Sequence, residues 1–248
     1  MHIEYHKWWS HNLCRDMEYK VYGHDGQAFL AFACQDGRFF DWEDYGMIAV
    51  LAPFIESGRI RIICVDSIDQ ETWSNKGGDK RWRIEQQERW FHYVVDELLP
   101  NVRCNERQMF FTIGCSMGGF HAANFFFRRP DLFNGMLALS GLFHASYGFD
   151  EYTDELVYAN SPQDFLPNMP SDHPWMQTYR QRRIIFCVGQ GAWEEQLLWS
   201  TRIMDRILKE KDVPAWFDYW GHDVAHDWPY WRQQAPYFID KILQGNAG

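Results

Sequence analysis

Six short apolar runs recur along the chain, at Ala28–Cys34, Ile60–Val65, Met109–Ile113, Gly135–Leu139, Arg183–Val188 and Ala215–Trp220. Each is too short for a buried helix, and several read as strands hidden on both faces. Between them lie stretches with helical spacing. These are 42–57, 80–99 (closed by Pro100), 120–129 (stopped before Pro130) and 194–209, and 229–243 closes the chain. Strands alternating with helices need crossover connections, and those force a mostly parallel sheet with helices on both faces. Ahead of the alternation, residues 2–9 and 17–23 read as an antiparallel hairpin. Residues 143–182 break the pattern with four prolines and many acidic and aromatic residues. They read as an irregular, cap-like insertion, with a short helix starting at Ser161-Pro162. No linker or internal repeat is visible, so 1–248 reads as one α/β domain.

Charge and composition narrow the function. The 248 residues carry a net charge of −10, which disfavours a phosphate backbone and makes nucleic acid an unexpected partner. No basic amphipathic stretch, apolar leader or run of 18 apolar residues appears, so no membrane partner is expected. Six cysteines without a C-x-x-C pair suit reduced thiols and a cytoplasmic location. Aromatic residues reach 18% of the chain, enough either to fill a large core or to line an apolar pocket.

The chemistry-bearing segment is Gly114-Cys115-Ser116-Met117-Gly118-Gly119, which fits G-x-S-x-G. It follows an apolar strand and opens a helix. That is the context in which a serine sits on a tight turn with its hydroxyl above the sheet edge. A serine nucleophile needs a base, and the loop after the last strand offers His222 and His226. His226, directly before the closing helix, is preferred. The pair also resembles a zinc-binding H-E-x-x-H pattern, but Gly221 and Pro229 leave no long helix to hold both on one face, so no metal is expected. The acid is sought after the strand ending at Val188. Glu194 shares a helical face with Leu197 and Leu198 and is preferred, with Glu195 as the alternative. For the oxyanion the candidates are the N–H groups of Met117 and Arg38, the latter on the Asp36-Gly37 turn. Phe39, Phe40, Trp193 and Trp228, with Trp231 and rings of the insertion, are the candidate pocket wall.

These residues resemble the putative-esterase family of α/β-hydrolases, which includes S-formylglutathione hydrolases, ferulate and siderophore esterases and mycolyltransferases. The resemblance rests on the Gly114–Gly119 motif, on Pro130-Asp131-Leu132-Phe133 leading to Leu139-Ser140-Gly141, and on His226-Asp227-Trp228-Pro229-Tyr230-Trp231. Asp36-Gly37-Arg38 and the opening segment from Trp9 to Met17 add to it. It implies an α/β-hydrolase fold and a serine esterase with Ser116 as nucleophile and His226 as base. Many relatives have an aspartate where this chain has Ala192, so the acid departs from the family pattern. The expectation is a carboxylic-ester hydrolase of small molecules that needs no cofactor. Acyl transfer to an alcohol, or a non-catalytic binding protein on this scaffold, are the alternatives. The natural substrate and the oligomeric state are not legible.

Overall fold

The computed structural model describes residues 1–245. Residues 246–248, part of the one-domain reading, lie outside them. Eight strands form one sheet in the order β1-β2-β4-β3-β5-β6-β7-β8. β1 (Ile3–Ser10) and β2 (Arg15–Tyr22) pair antiparallel, and β2 pairs antiparallel with β4 (Ile60–Val65). From there on every pairing is parallel: β3 (Gln27–Phe32), β5 (Phe110–Cys115), β6 (Phe133–Leu139), β7 (Arg183–Val188) and β8 (Trp216–Tyr219). This is the mostly parallel sheet with an antiparallel N-terminal hairpin that the alternation implied. β5 is buried along its whole length, which explains its unbroken apolar run.

Helices cover both faces. Alternate residues of the central strands, such as Leu30, Ile63, Met136 and Phe186, pack with Trp90 of α3 (Lys80–His92), Phe125 of α5 (Met117–Arg128) and Met204 of α10 (Glu195–Glu210). The intervening residues, such as Phe29, Ile62, Ile113 and Leu137, pack with Leu51 of α2 (Met47–Glu56) and Phe238 of α11 (Trp228–Gln244). The period of two along each strand thus divides the core into two layers.

Three boundaries differ from the sequence reading. The segment 42–57 is two helices, α1 (Asp41–Asp44) and α2, because Gly46 takes a left-handed conformation between them. The 80–99 helix does not stop at Pro100. It passes through a π-helical turn, Tyr93–Leu98, into α4 (Leu99–Val102), so Pro100 lies within a continuous helix whose preceding turn is widened, with the Leu99 N–H reaching back to the Val94 carbonyl. α5 begins at Met117, three residues before the expected Phe120, because Gly118 and Gly119 are poor helix formers that masked its first turn. Residues 143–182 hold four short helices: α6 (Ser146–Phe149), α7 (Glu155–Ala159), α8 (Pro162–Asn168) and α9 (Pro174–Arg180). Among the described residues, no helix is long and apolar enough to cross a membrane.

Candidate active site

Ser116 stands between β5 and α5 with φ 58° and ψ −123°, a left-handed backbone that a non-glycine residue adopts only when its surroundings enforce it. The enforcement comes from its neighbours. A Cβ on Gly114 would strike the Gly118 backbone, and one on Gly118 would strike the carbonyls of Phe32 and Ala33. Glycines two residues either side therefore let strand, turn and helix approach this closely. The Ser116 amide bonds the Leu139 carbonyl at 2.9 Å, tying the turn to β6 and leaving the hydroxyl at the carboxyl edge of the sheet.

There the structure brings His226 and Glu194 to it. His226 Nε2 lies 2.9 Å from Ser116 Oγ, and His226 Nδ1 lies 3.4 Å from Glu194 Oε2. The second contact is long, as such contacts often are without substrate. Two loops cause the convergence. After β7, Gly191 N–H donates to the Val224 carbonyl at 2.9 Å; after β8, His226 N–H donates to the Ala192 carbonyl at 3.0 Å. A side chain on Gly189 or Gly191 would collide with the Val224 carbonyl, so these glycines allow the loops to zip together. Trp193 then turns left-handed (φ 67°) and delivers Glu194 inward at the head of α10.

Glu194 is 1% exposed, a poor place for a carboxylate unless its oxygens are satisfied. Ser140 Oγ donates to Oε1 at 2.6 Å, and Trp231 Nε1 donates to Ser140 Oγ at 3.3 Å. The Trp231 ring also stands edge-on to His226, 4.9 Å between centroids. Ser140, with φ 51° at the end of β6, completes a chain from Trp231 through Glu194 to Ser116. Sequence reasoning had Ser140 only within a family motif; the available signal was a polar residue following a buried strand. Glu195 points outward into a second cavity, and His222 faces the Gln190 carbonyl at 3.3 Å, away from the serine.

A cleft of about 220 Å³ covers Ser116, walled by Gln35, Met117, Leu142, Tyr147, Trp193, Gln196, Leu197 and His226. Met117 opens α5, where the first amides of a helix lack intrahelical acceptors. The loop after β3 brings Gln35 to the cleft rather than Arg38. Gly37 N–H closes a tight turn onto the Cys34 carbonyl at 2.9 Å, with Asp36 left-handed. The turn throws Arg38 outward, where its guanidinium bonds Asp66 at 2.7 Å and Glu18 at 2.8 Å. Of the expected wall residues, Trp193 and, from the rings of the insertion, Tyr147 line the cleft. Phe39 is buried and stacks edge-on with Phe40, and Arg38 lies over both rings. Trp228 packs flat on Tyr45 and into the core layer beneath α11. Their position beside the site in sequence did not fix where their rings point.

Tyr147, from the insertion, crosses the cleft to donate a hydrogen bond to Gln35 Oε1, whose amide nitrogen in turn donates to Ser74 Oγ at 2.8 Å. Burial raises the Tyr147 phenol above its ordinary pKa, so it stays a donor. Burial likewise pushes up the thiols of Cys115 and Cys187, which flank the serine and the acid in the core. His121, one helical turn beyond the serine, is buried against Trp90 and bonded to Asp69 at 2.9 Å, outside the cleft. Among the described residues, no group of three His, Cys, Asp or Glu side chains is arranged to hold a metal ion.

A family model described as "Putative esterase" matches residues 10–237. No curated protein matches the sequence significantly. Among solved structures, a ferulic acid esterase is 18% identical with a TM-score of 0.76, over 97% of this chain and 98% of that one. An S-formylglutathione hydrolase from Staphylococcus aureus is 14% identical with a TM-score of 0.69, over 98% and 100%. MPT51 of Mycobacterium tuberculosis is 13% identical with a TM-score of 0.69, over 97% and 98%. At these identities the likeness is one of fold.

Proposed function

The chain belongs to the putative-esterase family and is an ester hydrolase of the serine type, and we propose that its chemistry runs through Ser116, His226 and Glu194. The observation that carries this is the continuous contact from Ser116 Oγ to His226 Nε2 and from His226 Nδ1 to a buried carboxylate. In this reading Ser116 Oγ attacks the ester carbonyl carbon as its proton passes to His226 Nε2. Glu194 keeps the other ring proton on Nδ1 and stabilises the imidazolium that forms. The negative charge moves to the carbonyl oxygen, where the amides of Met117 and Gln35 are the donors we assign. Collapse breaks the ester C–O bond, and the leaving alcohol takes the proton from Nε2. Water then enters by the same route and releases the acid.

Ser140 and Trp231 are positioning residues in this scheme, because they hold Glu194 without reaching the substrate. The 143–182 insertion supplies Tyr147 and acts as a partial cover over a single hydrolase unit. Replacement Ser116→Ala is the direct test. Turnover of a p-nitrophenyl ester is lost and a fluorophosphonate no longer labels the protein, while the circular dichroism spectrum is kept. Turnover at the parent rate in that variant would remove Ser116 from the mechanism.

A further inference from the structure

Beside the cleft over Ser116 lies a larger cavity of about 630 Å³ that the scheme above does not use. Leu142, Tyr147 and Gln196 line both spaces, so the two adjoin. One wall is the insertion, with His144, Tyr147 and Asp164. The other is the outer face of α10, where Glu195, Trp199 and Ile203 recur every four residues and form one stripe.

Two properties of this wall point to its occupant. The first is its aromatic surface. Trp199 is 66% exposed and Trp193, in the wall of the adjoining cleft, is 81% exposed. An indole left this open keeps unused most of what it gains by burial, and its π face is free to meet a ligand. The second is charge. The lining contains the carboxylates of Asp164 and Glu195 and no Lys or Arg. Glu195 has neither an ion pair nor a side-chain hydrogen bond among the described residues, whereas Asp164 faces His144 Nε2 at 3.3 Å. His144 Nδ1 is held by Ser146 at 2.7 Å. The cation Lys76 stacks on the Tyr147 ring at 4.9 Å, outside the lining. An open indole in a lining that also carries two carboxylates is the chemistry that receives an organic cation.

We infer that this cavity takes a positively charged half of the ester, an alkylammonium group seated on Trp199 in the lining that carries Asp164 and Glu195. The inference rests on Ser116 being the nucleophile of the cleft that it adjoins. An anionic half is disfavoured by the same groups.

The test compares a trimethylammonium ester with its uncharged tert-butyl isostere. The charge is placed once on the alcohol half and once on the acyl half, at pH 8 and low salt. The expected result is a kcat/KM about fivefold higher for the cation in one of the two pairs, shrinking as salt is added. In Asp164→Asn with Glu195→Gln, and separately in Trp199→Ala, that ratio falls towards one. A ratio at or below one in both pairs, or a ratio untouched by both variants, overturns the inference while turnover of the neutral esters leaves the serine mechanism standing. If the neutral esters are not hydrolysed either and a fluorophosphonate does not label Ser116, the catalytic reading fails and this one falls with it.

Discussion

The sharpest perturbation of the site is Glu194→Gln, which keeps the shape of the side chain and removes its charge. The carboxylate is buried, with Oε1 held by Ser140 at 2.6 Å and Oε2 facing His226 Nδ1 at 3.4 Å. In the variant the carbonyl oxygen best satisfies the Ser140 hydroxyl, because Ser140 already accepts from Trp231. The amide nitrogen then faces His226. It can only donate, so Nδ1 must accept and the ring proton moves to Nε2, 2.9 Å from Ser116 Oγ. A protonated Nε2 cannot take the serine proton, and the imidazolium has lost its counter-charge. Losses of about 10³–10⁴ in kcat follow when this tautomer is imposed on such a triad, or roughly 4–5.5 kcal/mol of barrier. Ser140→Ala is the graded companion. It leaves the charge but removes a hydrogen bond to it, with an expected cost of about 1.5–3 kcal/mol in stability and at most about tenfold in kcat. Steady-state turnover of a p-nitrophenyl ester reads the first effect and urea unfolding the second. A Glu194→Gln enzyme within tenfold of the parent would refute the assignment of this carboxylate.

Three further outcomes follow from the structure. Gly118→Ala drives a Cβ into the Phe32 and Ala33 carbonyls, so it costs about 1–3 kcal/mol on urea unfolding and lowers kcat by displacing the serine turn; unchanged values would mean the turn has slack. Arg38→Ala removes the partner of Asp66, whose pKa burial already raises above its ordinary value despite the Arg38 contact. The variant raises it further, and a raised carboxyl pKa gives stability that is full below the unfolded value and lost as pH rises through the folded one. The deficit of about 1–3 kcal/mol should therefore be present at pH 7 and fade towards pH 4, and a pH-independent deficit would contradict it. Cys14 and Cys104 are exposed, whereas burial pushes up the thiols of Cys34, Cys64, Cys115 and Cys187. Two thiols should then react rapidly with a disulfide reagent in the native protein and all six after unfolding; more than two fast equivalents would contradict this burial.

What could be read in the sequence was local or periodic. The serine turn is encoded within six residues, because the glycines that permit it adjoin the serine. His226 was legible from its place between the last strand and a helix start, where the Asp227 side chain bonds the Trp228 amide and Pro229 fits the first turn. Glu194 followed from helical phase, since it shares the buried face of Leu197. The failures depended on where one side chain points after a turn. Asp36 adopting a left-handed conformation decides whether Gln35 or Arg38 reaches the cleft, and nothing in the pattern Asp-Gly requires it. Phe39, Phe40 and Trp228 adjoin site residues in sequence but turn into packing; rings of the insertion were expected at the pocket and Tyr147 is there, whereas Trp199 comes from a helix face that only tertiary folding sets beside it.

The aromatic excess divides along the same lines, and the division bears on function. Most of the large rings are structural: Trp42, Trp73 and Trp90 are about 1% exposed and Phe29, Phe110 and Phe125 are fully buried. Of the thirteen tryptophans, the two most exposed, Trp193 and Trp199, both border the nucleophile's cavities. Exposed indoles scattered by chance would show no such preference, and the others that are exposed, Trp9 and Trp82, lie elsewhere at lower exposure. The same turn of chain serves both ends: Glu194 faces inward to His226, Trp193 borders the cleft, and Glu195 and Trp199 line the larger cavity. Substitutions on that outer face should therefore change which ester is chosen, and those at Glu194 should change how fast any ester reacts. A change of rate without a change of preference at Trp199 would mean that the helix transmits strain to the triad rather than reading the substrate.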